Sequence, residues 1–224
     1  MSGKQRIILT MATLELTRPT SLPQHIVLDD ISWNFYEQTL AEIGNRPIRV
    51  TYCDGRMEIM SPLPRHEHAK RLIGRMIEML SFELGGPILS LSSTTYKRED
   101  LAKGLEPDEC YYFQSASKLR HVDEVDLKID PPPDLAIEID ITGRSIPRES
   151  IYAALGVPEH WRFDGVALHC LHLKDGKYVK QPRSLAFPFL NPAELLQFIT
   201  MDSPNDETPI LRAFMAWVRK NGWV

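Results

Sequence analysis

Carboxylates occupy alternate positions in one short stretch of the sequence, residues 131–140. Asp134, Glu138 and Asp140 are separated from one another by even numbers of residues. The residues between them that carry large apolar side chains are Leu135, Ile137 and Ile139. Because successive side chains of a β-strand point to opposite faces, we expect the acids on one face and the apolar residues on the other, towards a core. Three like charges on one face would be costly to bury without compensation.

Two interpretations of this acidic face are open. Water solvates the face if the segment is the edge strand of a sheet. Alternatively, a divalent cation neutralises it, and Mg²⁺ suits such a face because it takes one or two carboxylates together with waters and phosphate oxygens. Another acid, Asp108, follows a proline at the start of a strand predicted over residues 109–113. Pro-Asp is also common in turns, so Asp108 alone is weak evidence. The metal interpretation groups Asp108 with Glu138 and Asp140.

A cation, Arg148, lies in a short helix predicted over residues 147–155, which begins at a proline. At 100° per residue, its side chain shares one side of the helix with Ile151, Tyr152 and Leu155. A charged residue on an inward stripe needs a partner, and the acidic strand precedes this helix by one short loop. The alternative is an arginine whose side chain extends from the first turn into solvent.

A histidine, His66, lies in the first turn of another predicted helix, over residues 65–84. It projects near the apolar stripe of that helix and is therefore a candidate to face a site, although it could also cap or pack. Its neighbour Glu67 projects almost opposite and is expected in solvent. His66 and His68 do not form a zinc motif, because metalloprotease histidines are spaced four apart on a helix.

The remaining pattern predicts a mixed α/β fold, with a central sheet flanked by helices. Besides the segments above, a strong hairpin signal, Asp54-Gly55, joins strands over residues 48–52 and 56–60. Further strands are predicted over residues 8–17, 88–96, 135–141, 160–163, 167–173 and 178–181. Further helices are predicted over residues 30–43, 191–199 and 207–220.

Composition restricts the class of protein. The chain has 224 residues and a formal net charge of −4, which disfavours a protein that binds nucleic acid by coating phosphates with lysine and arginine. It does not disfavour a nuclease, whose metal site must itself be acidic. Three separated cysteines without a CxxC pair suit a reducing compartment. With no convincing signal peptide or membrane span, we expect a cytoplasmic protein.

No linker divides the chain, so we expect a single domain over residues 1–224, with an N-terminal extension over residues 1–25 and C-terminal helices within residues 185–224.

Four segments together resemble the Uma-two family, which belongs to the PD-(D/E)xK restriction-endonuclease-like superfamily. They read YCDGRMEIMSPLPRHEH, GLEPDECYYF, PPPDLAIEIDIT and IYAALGVPEHWRFDG. The resemblance covers the chain from about Ser32 to the C-terminal helix, and it rests on the order and spacing of these segments. It implies a restriction endonuclease-like α/β fold, a mixed central sheet flanked by helices with an added N-terminal β-hairpin region.

The resemblance also implies roles for individual residues. Asp108 matches the metal-binding Asp of the Pro-Asp motif, and Glu138 matches the metal-binding strand carboxylate. Asp140 stands where the ancestral motif has lysine. Relatives supply that lysine from the next helix, four residues before Tyr152, and here that position is Arg148. An arginine keeps the charge and can bind a phosphate oxygen, but its high pKa prevents it from accepting a proton. We therefore expect an enzyme weakened by Arg148 if the task of the lysine is electrostatic, and an inactive one if the lysine must exchange a proton with water.

These expectations combine into a Mg²⁺- or Mn²⁺-dependent endonuclease that hydrolyses DNA phosphodiester bonds. Asp108 and Glu138, joined by Asp140, would hold the metal, which would polarise the phosphate and lower the pKa of a water. Arg148 would neutralise charge developing on the phosphoryl oxygens. His66 and Tyr152 would orient substrate or water.

A homodimer that reaches both DNA strands is a further expectation from the resemblance. Two alternatives stay open. The first is a catalytically inactive nuclease-fold module that binds nucleic acid or a protein partner. The second is metal-free hydrolysis by a carboxylate pair, as in glycosidases.

Overall fold

A computed structural model describes residues 25–61, 64–92, 94–119, 124–141, 143, 145–203 and 206–223. The strand predicted over residues 8–17, and nearly all of the predicted N-terminal extension, lie outside these ranges. Within them, no helix is both long and apolar enough to cross a membrane.

Two β-sheets contain the strands of the described residues. The strands are His25–Leu28 (β1), Arg49–Cys53 (β2), Arg56–Met60 (β3), Leu89–Ser90 (β4), Tyr96–Arg98 (β5), Lys103–Leu105 (β6), Glu109–Tyr112 (β7), Leu135–Ile139 (β8), Glu159–Phe163 (β9), Leu168–Lys174 (β10) and Lys177–Lys180 (β11). The first sheet is antiparallel, in the order β1-β3-β2-β6-β5. The second has the order β11-β10-β9-β8-β7-β4 and is mixed, because β8 and β9 run parallel.

Five α-helices accompany the sheets in the described ranges. They are Trp33–Ile43 (α1), Pro64–Leu84 (α2), Arg148–Leu155 (α3), Leu196–Ile199 (α4) and Thr208–Lys220 (α5). Sequence explains two of their boundaries. The Ser32 side chain accepts a hydrogen bond from the backbone N–H of Phe35 at 3.2 Å and so starts α1. Gly156 ends α3 with a φ of 80°, a left-handed conformation that glycine adopts without strain.

The mixed α/β fold is confirmed, with one difference in its sheets. The predicted hairpin is present, but it belongs to a separate five-stranded sheet. The single strand predicted over residues 88–96 is wrong: its ends become β4 and β5, in different sheets. The reason is a turn, in which the backbone N–H and the hydroxyl of Thr94 both donate to the Leu91 carbonyl.

The strand β8 lies between β7 and β9, and its five residues are all buried. The edge-strand interpretation of the acidic face is therefore wrong. The alternation itself is as predicted, because the apolar side chains of β8 join one core cluster with α2 and α5. The opposite face of the sheet carries the acidic residues, and it packs against α3 and a second cluster that includes Ala136 and Tyr152.

Candidate active site

Asp108 and Glu138 meet across the pairing of β7 and β8. These strands are antiparallel with Glu109 opposite Ile137, and continuing that register by one residue sets Asp108 opposite Glu138. The Asp108 carboxylate accepts a hydrogen bond from the backbone N–H of Ile139 at 2.8 Å. Both acids are buried, at 5% and 2% exposure. Two carboxylates far apart in the chain thus lie side by side on one face of the sheet.

Arg148 from α3 binds the Glu138 carboxylate. Its Nη1 atom lies 2.8 Å from Glu138 Oε1 and 2.9 Å from the carbonyl oxygen of Glu106. The Tyr152 hydroxyl, one turn further along α3, donates to the same Glu138 oxygen. Arg148 is 6% exposed, so the interpretation that its side chain extends into solvent is wrong. Arg148 therefore faces inward as predicted, and its partner is Glu138 of the acidic strand β8.

The charge of Arg148 is maintained by its acidic neighbours. Burial disfavours the guanidinium, but the negative charge of Glu138, followed by Tyr152 and Asp108, outweighs that effect and raises the pKa of Arg148 above its ordinary value. Burial, followed by the charge of Glu138, raises the pKa of Tyr152 well above its ordinary value. Tyr152 therefore stays a protonated donor, and Arg148 stays a cation that cannot accept a proton.

A cavity of about 260 Å³ opens beside this group. The described residues that line it are Glu138, Asp140, Pro147, Arg148, Glu149, His160 and Arg162. Tyr152 is completely buried and lies behind Glu138, where it positions the carboxylate. His66 is buried in the first turn of α2, near the apolar stripe as expected, and is not among the lining residues described. Substrate contact by Tyr152 or His66 stays a prediction.

Several buried polar atoms at this cavity have no hydrogen-bond partner in the described part of the chain. They are Asp140 Oδ1, Arg148 Nε, Arg162 Nε and both ring nitrogens of His160. Buried polar groups are nearly always paired in proteins, since an unpaired one costs about 1–3 kcal/mol. Their concentration around one cavity indicates a place where water or a ligand binds.

Sequence reasoning missed two of these residues, His160 and Arg162. In the parallel pairing of β8 and β9, Ala136 lies beside His160 and Glu138 beside Arg162, so both side chains share the acidic face. The available signal was their alternation with Trp161 and Phe163, the same period-two pattern that marks β8. Burial, followed by the charges of Arg162 and Arg148, lowers the pKa of His160 to about 3, so its ring is neutral.

Asp134, the first acid of the acidic segment 131–140, is balanced by hydrogen bonds from a neighbouring loop. Its carboxylate accepts hydrogen bonds from the backbone N–H groups of Phe113 and Ser115, at 2.7 and 3.1 Å, and from the Ser115 hydroxyl. Neither solvent nor a metal is needed to balance it. Asp134 holds the loop after β7 and is not part of the site.

Comparison with known proteins bears on what this site does. The chain matches, over residues 33–202, the family model described as “Uma2: Putative restriction endonuclease”. The chain belongs to this family. The resemblance of the four sequence segments is thereby confirmed, and membership of Uma2 supports a nuclease function in general.

Solved structures that are similar to this Uma2 chain include a crystal structure described as “a putative nuclease belonging to DUF820” from Anabaena variabilis ATCC 29413. The two chains are 15% identical, with a TM-score of 0.46, and the match covers 72% of this chain and 90% of the other. None of the curated proteins matches the chain.

The described residues fit the divalent metal that the Uma2 resemblance implies. Glu138 and Asp140 present carboxylates at the cavity, and Asp108 lies directly opposite Glu138. Asp140 Oδ1 is buried and has no hydrogen-bond partner in the described ranges, and a bound metal ion would supply this oxygen with a partner. Such a set of hard oxygen ligands suits Mg²⁺ or Mn²⁺. Arg148 occupies one Glu138 oxygen and would share that carboxylate with the metal.

A second group with metal-binding side chains lies on the other face of the sheet. Ligand atoms of Glu159, Cys170 and His172 come within 4.8 Å of one another. However, the Glu159 carboxylate already accepts hydrogen bonds from the Trp161 indole at 2.7 Å and from the backbone N–H groups of residues 185 and 186 at 2.9 Å. These donors account for its negative charge, and we interpret this group as structural.

Proposed function

We propose that this protein is a metal-dependent endonuclease that hydrolyses phosphodiester bonds of DNA with Mg²⁺ or Mn²⁺. The observation that carries the proposal is the meeting of Asp108 and Glu138 across β7 and β8, with Arg148 bound to Glu138 beside a cavity. Family membership supports the nuclease class, and the acidic cavity supports the metal.

In this proposal Asp108, Glu138 and Asp140 hold the metal. A divalent cation in such a site polarises a phosphoryl oxygen and lowers the pKa of a bound water. The protein contributes the placement of these acids, which strand register fixes for Asp108 and Glu138. Tyr152 and Arg148 fix the rotamer of Glu138 through two hydrogen bonds to one oxygen.

Arg148 has a second task in the proposal. Its Nη1 atom is engaged by Glu138 and by the Glu106 carbonyl, whereas its Nε has no hydrogen-bond partner in the described ranges, and the residue lines the cavity. The Nε–H group is therefore the donor it can offer to a phosphoryl oxygen, where it would stabilise developing negative charge. Because an arginine does not release its proton, the proton of the attacking water must leave to another acceptor.

The experiment is cleavage of plasmid and of single-stranded DNA by the purified protein in Mg²⁺, Mn²⁺ or EDTA. We expect cleavage that requires the metal and that falls at least about a hundredfold in Glu138→Gln and Asp108→Asn, since a catalytic metal supplies several kcal/mol of transition-state stabilisation. Glu42→Gln, an exposed acid of α1, is the matched control and should cleave normally. Calorimetry should show Mg²⁺ binding that Asp108→Asn removes.

A second candidate function is favoured by one observation, the Arg148–Glu138 ion pair. An arginine that occupies the carboxylate of the metal site is also what an inactive, nucleic-acid-binding nuclease fold would contain. Arg148→Lys separates the two functions. It should raise the activity of a weakened enzyme and leave a binding module unchanged. Absence of any metal-dependent cleavage, with Glu138→Gln identical to wild type, would overturn the nuclease proposal.

A homodimer that reaches both DNA strands stays a prediction from the resemblance. Sedimentation of the purified protein, with and without DNA, measures it directly.

A further inference from the structure

Two guanidinium groups line the cavity, and they differ in how far their donors are already used. Arg148 is enclosed and binds two acceptors, Glu138 and the Glu106 carbonyl. Arg162 is 39% exposed, and in the described part of the chain its charged partner is Glu149, whose carboxylate oxygen lies 3.5 Å from Arg162 Nε. That separation is too long for a strong hydrogen bond. Of the two guanidinium groups, Arg162 therefore has the more donors available to a ligand.

His160 lies two residues before Arg162 on the same face of β9 and also lines the cavity. Its ring is 1% exposed and packs between Tyr152 and Tyr178, with centroid distances of 4.8 and 5.5 Å. Neither ring nitrogen has a hydrogen-bond partner within the described ranges. A neutral imidazole always carries one N–H donor and one acceptor nitrogen. An enclosed ring with neither satisfied indicates that a ligand or water completes it.

The position of Arg162 and His160 beside the carboxylates restricts the class of ligand that can bind there. Arg162 lies beside Glu138 in the register of β8 and β9, so a group held by Arg162 lies next to the proposed metal site. A guanidinium fork and an imidazole N–H match the oxygens of a phosphate group, and arginine binds phosphate with two parallel hydrogen bonds. With the carboxylates assigned to the metal, a second cation would be repelled by Arg148 and Arg162. An apolar ligand would leave the Nε–H groups of both arginines and the ring nitrogens of His160 without a hydrogen-bond partner from the described residues.

We propose that Arg162 and His160 form a phosphate-binding wall, which receives a backbone phosphate of a nucleic-acid strand beside Asp108 and Glu138. The identity of the phosphate as that of a nucleic acid rests on the proposed function. Glu149 is the internal competitor of the phosphate, since it holds Arg162 in a weak ion pair until substrate arrives. Exchange of one anion for another leaves Arg162 paired at every stage.

The experiment measures binding without catalysis. A fluorescein-labelled single-stranded oligonucleotide is titrated with protein in Ca²⁺, and a gel verifies that the oligonucleotide stays intact. Arg162→Gln should weaken binding about tenfold, the value of one charge-assisted hydrogen bond. It should also reduce the dependence of log affinity on log salt by about one ion. Arg212→Gln removes the same charge from an exposed position on α5, on the other side of the sheet, and should change neither quantity by a comparable amount.

Two further variants test the roles of the neighbours. Glu149→Gln should tighten binding about threefold or more, because it removes the competing carboxylate, and Arg162→Gln in the same chain should abolish that gain. A residue with a merely structural role gives no such coupled gain. His160→Phe keeps a ring between Tyr152 and Tyr178 but removes both nitrogens, and it should weaken binding while thermal unfolding shows an intact fold.

The outcomes separate this inference from the proposed nuclease function. If the wild-type protein cleaves DNA but Arg162→Gln binds and cleaves with unchanged affinity and KM, the phosphate-binding wall is wrong and the nuclease proposal stands. If binding depends on Arg162 but the wild type never cleaves, the wall stands and the nuclease proposal is wrong. A wild-type protein that binds no oligonucleotide overturns both.

Discussion

Two buried glutamates on neighbouring strands, Glu138 and Glu159, have opposite surroundings. Glu138 lies on the face of the six-stranded sheet that carries the cavity, and Glu159 on the face that packs against α2 and α5. Their exposures, 2% and 0%, do not distinguish them. Glu159 is balanced by an indole and two backbone N–H groups. Glu138 binds Arg148 and a tyrosine hydroxyl, next to a cavity whose polar atoms include several without a hydrogen-bond partner among the described residues.

The difference teaches that burial alone does not identify a functional acid. The donors to Glu159 are neutral and held in place by the backbone and by a buried indole, so its charge is already accommodated and offers little to a ligand. A side-chain cation can share its carboxylate with an incoming metal, so the charge of Glu138 is available for exchange. The kind of partner, together with the open space beside it, marks the site.

The largest expected effect comes from removing the cation. Arg148→Leu removes the buried guanidinium that binds Glu138, and we expect a loss of about 3–5 kcal/mol in the free energy of unfolding. Urea unfolding at pH 7 measures this loss. Arg212→Leu, an exposed position, should stay within about 0.5 kcal/mol of wild type. A loss no larger than that of Arg212→Leu would show that Glu138 does not depend on Arg148, and the comparison would fail.

A smaller loss is expected at the structural glutamate. Glu159→Gln replaces one acceptor oxygen by an amide NH₂ that faces a donor, and we expect about 2–3 kcal/mol of destabilisation. Because the Glu159 group is structural, Mg²⁺ affinity measured by calorimetry should stay at the wild-type value, whereas Glu138→Gln should lose it. A folded Glu159→Gln protein that no longer binds Mg²⁺ would break the comparison.

The smallest effect is on the dependence of stability on pH. The pKa of His160 is lowered from 6.5 to about 3 in the folded protein. Between these values the unfolded chain binds a proton that the folded protein refuses, so stability falls as pH drops below about 6.5, by at most about 1.4 kcal/mol per pH unit. Above that range His160 contributes no pH dependence.

Replacing His160 tests whether this buried, neutral histidine causes the pH dependence. His160→Phe should flatten the slope of unfolding free energy between pH 6.5 and pH 5, measured by urea unfolding at several pH values. His25→Phe, at an exposed position at the start of β1, is the control and should change the slope by less. Equal slopes in the two variants would contradict a neutral, enclosed His160.

Local patterns in the sequence predicted most of the elements. The alternation of Leu135, Ile137 and Ile139 gave the inward face of β8, and the helical stripe placed Arg148 on the inward side of α3. Both rely on neighbours in the chain. The strand predicted over residues 88–96 failed because a turn at Thr94 is decided by hydrogen bonds that composition does not reveal. The short strands β1 and β6 carry too few residues for a periodic signal.

The site was only partly predictable for a related reason. Asp108 and Glu138 were brought together through the family resemblance, not through any local pattern. Arg162 and His160 were missed because their place beside Glu138 depends on the parallel register of β8 and β9, a pairing between distant segments. The role of Asp134 was likewise decided by a loop that returns to it, through Phe113 and Ser115.

The cavity residues come from one continuous unit, β8, α3 and β9, over residues 135–163. Asp108, the residue just before β7, is the one proposed metal ligand outside it. A single recombination or insertion event could therefore carry almost the whole pocket into another protein, and the recipient would need to supply just one acid on an adjoining antiparallel strand. Swapping this segment between homologues is accordingly a compact way to exchange their chemistry while keeping the host's outer helices.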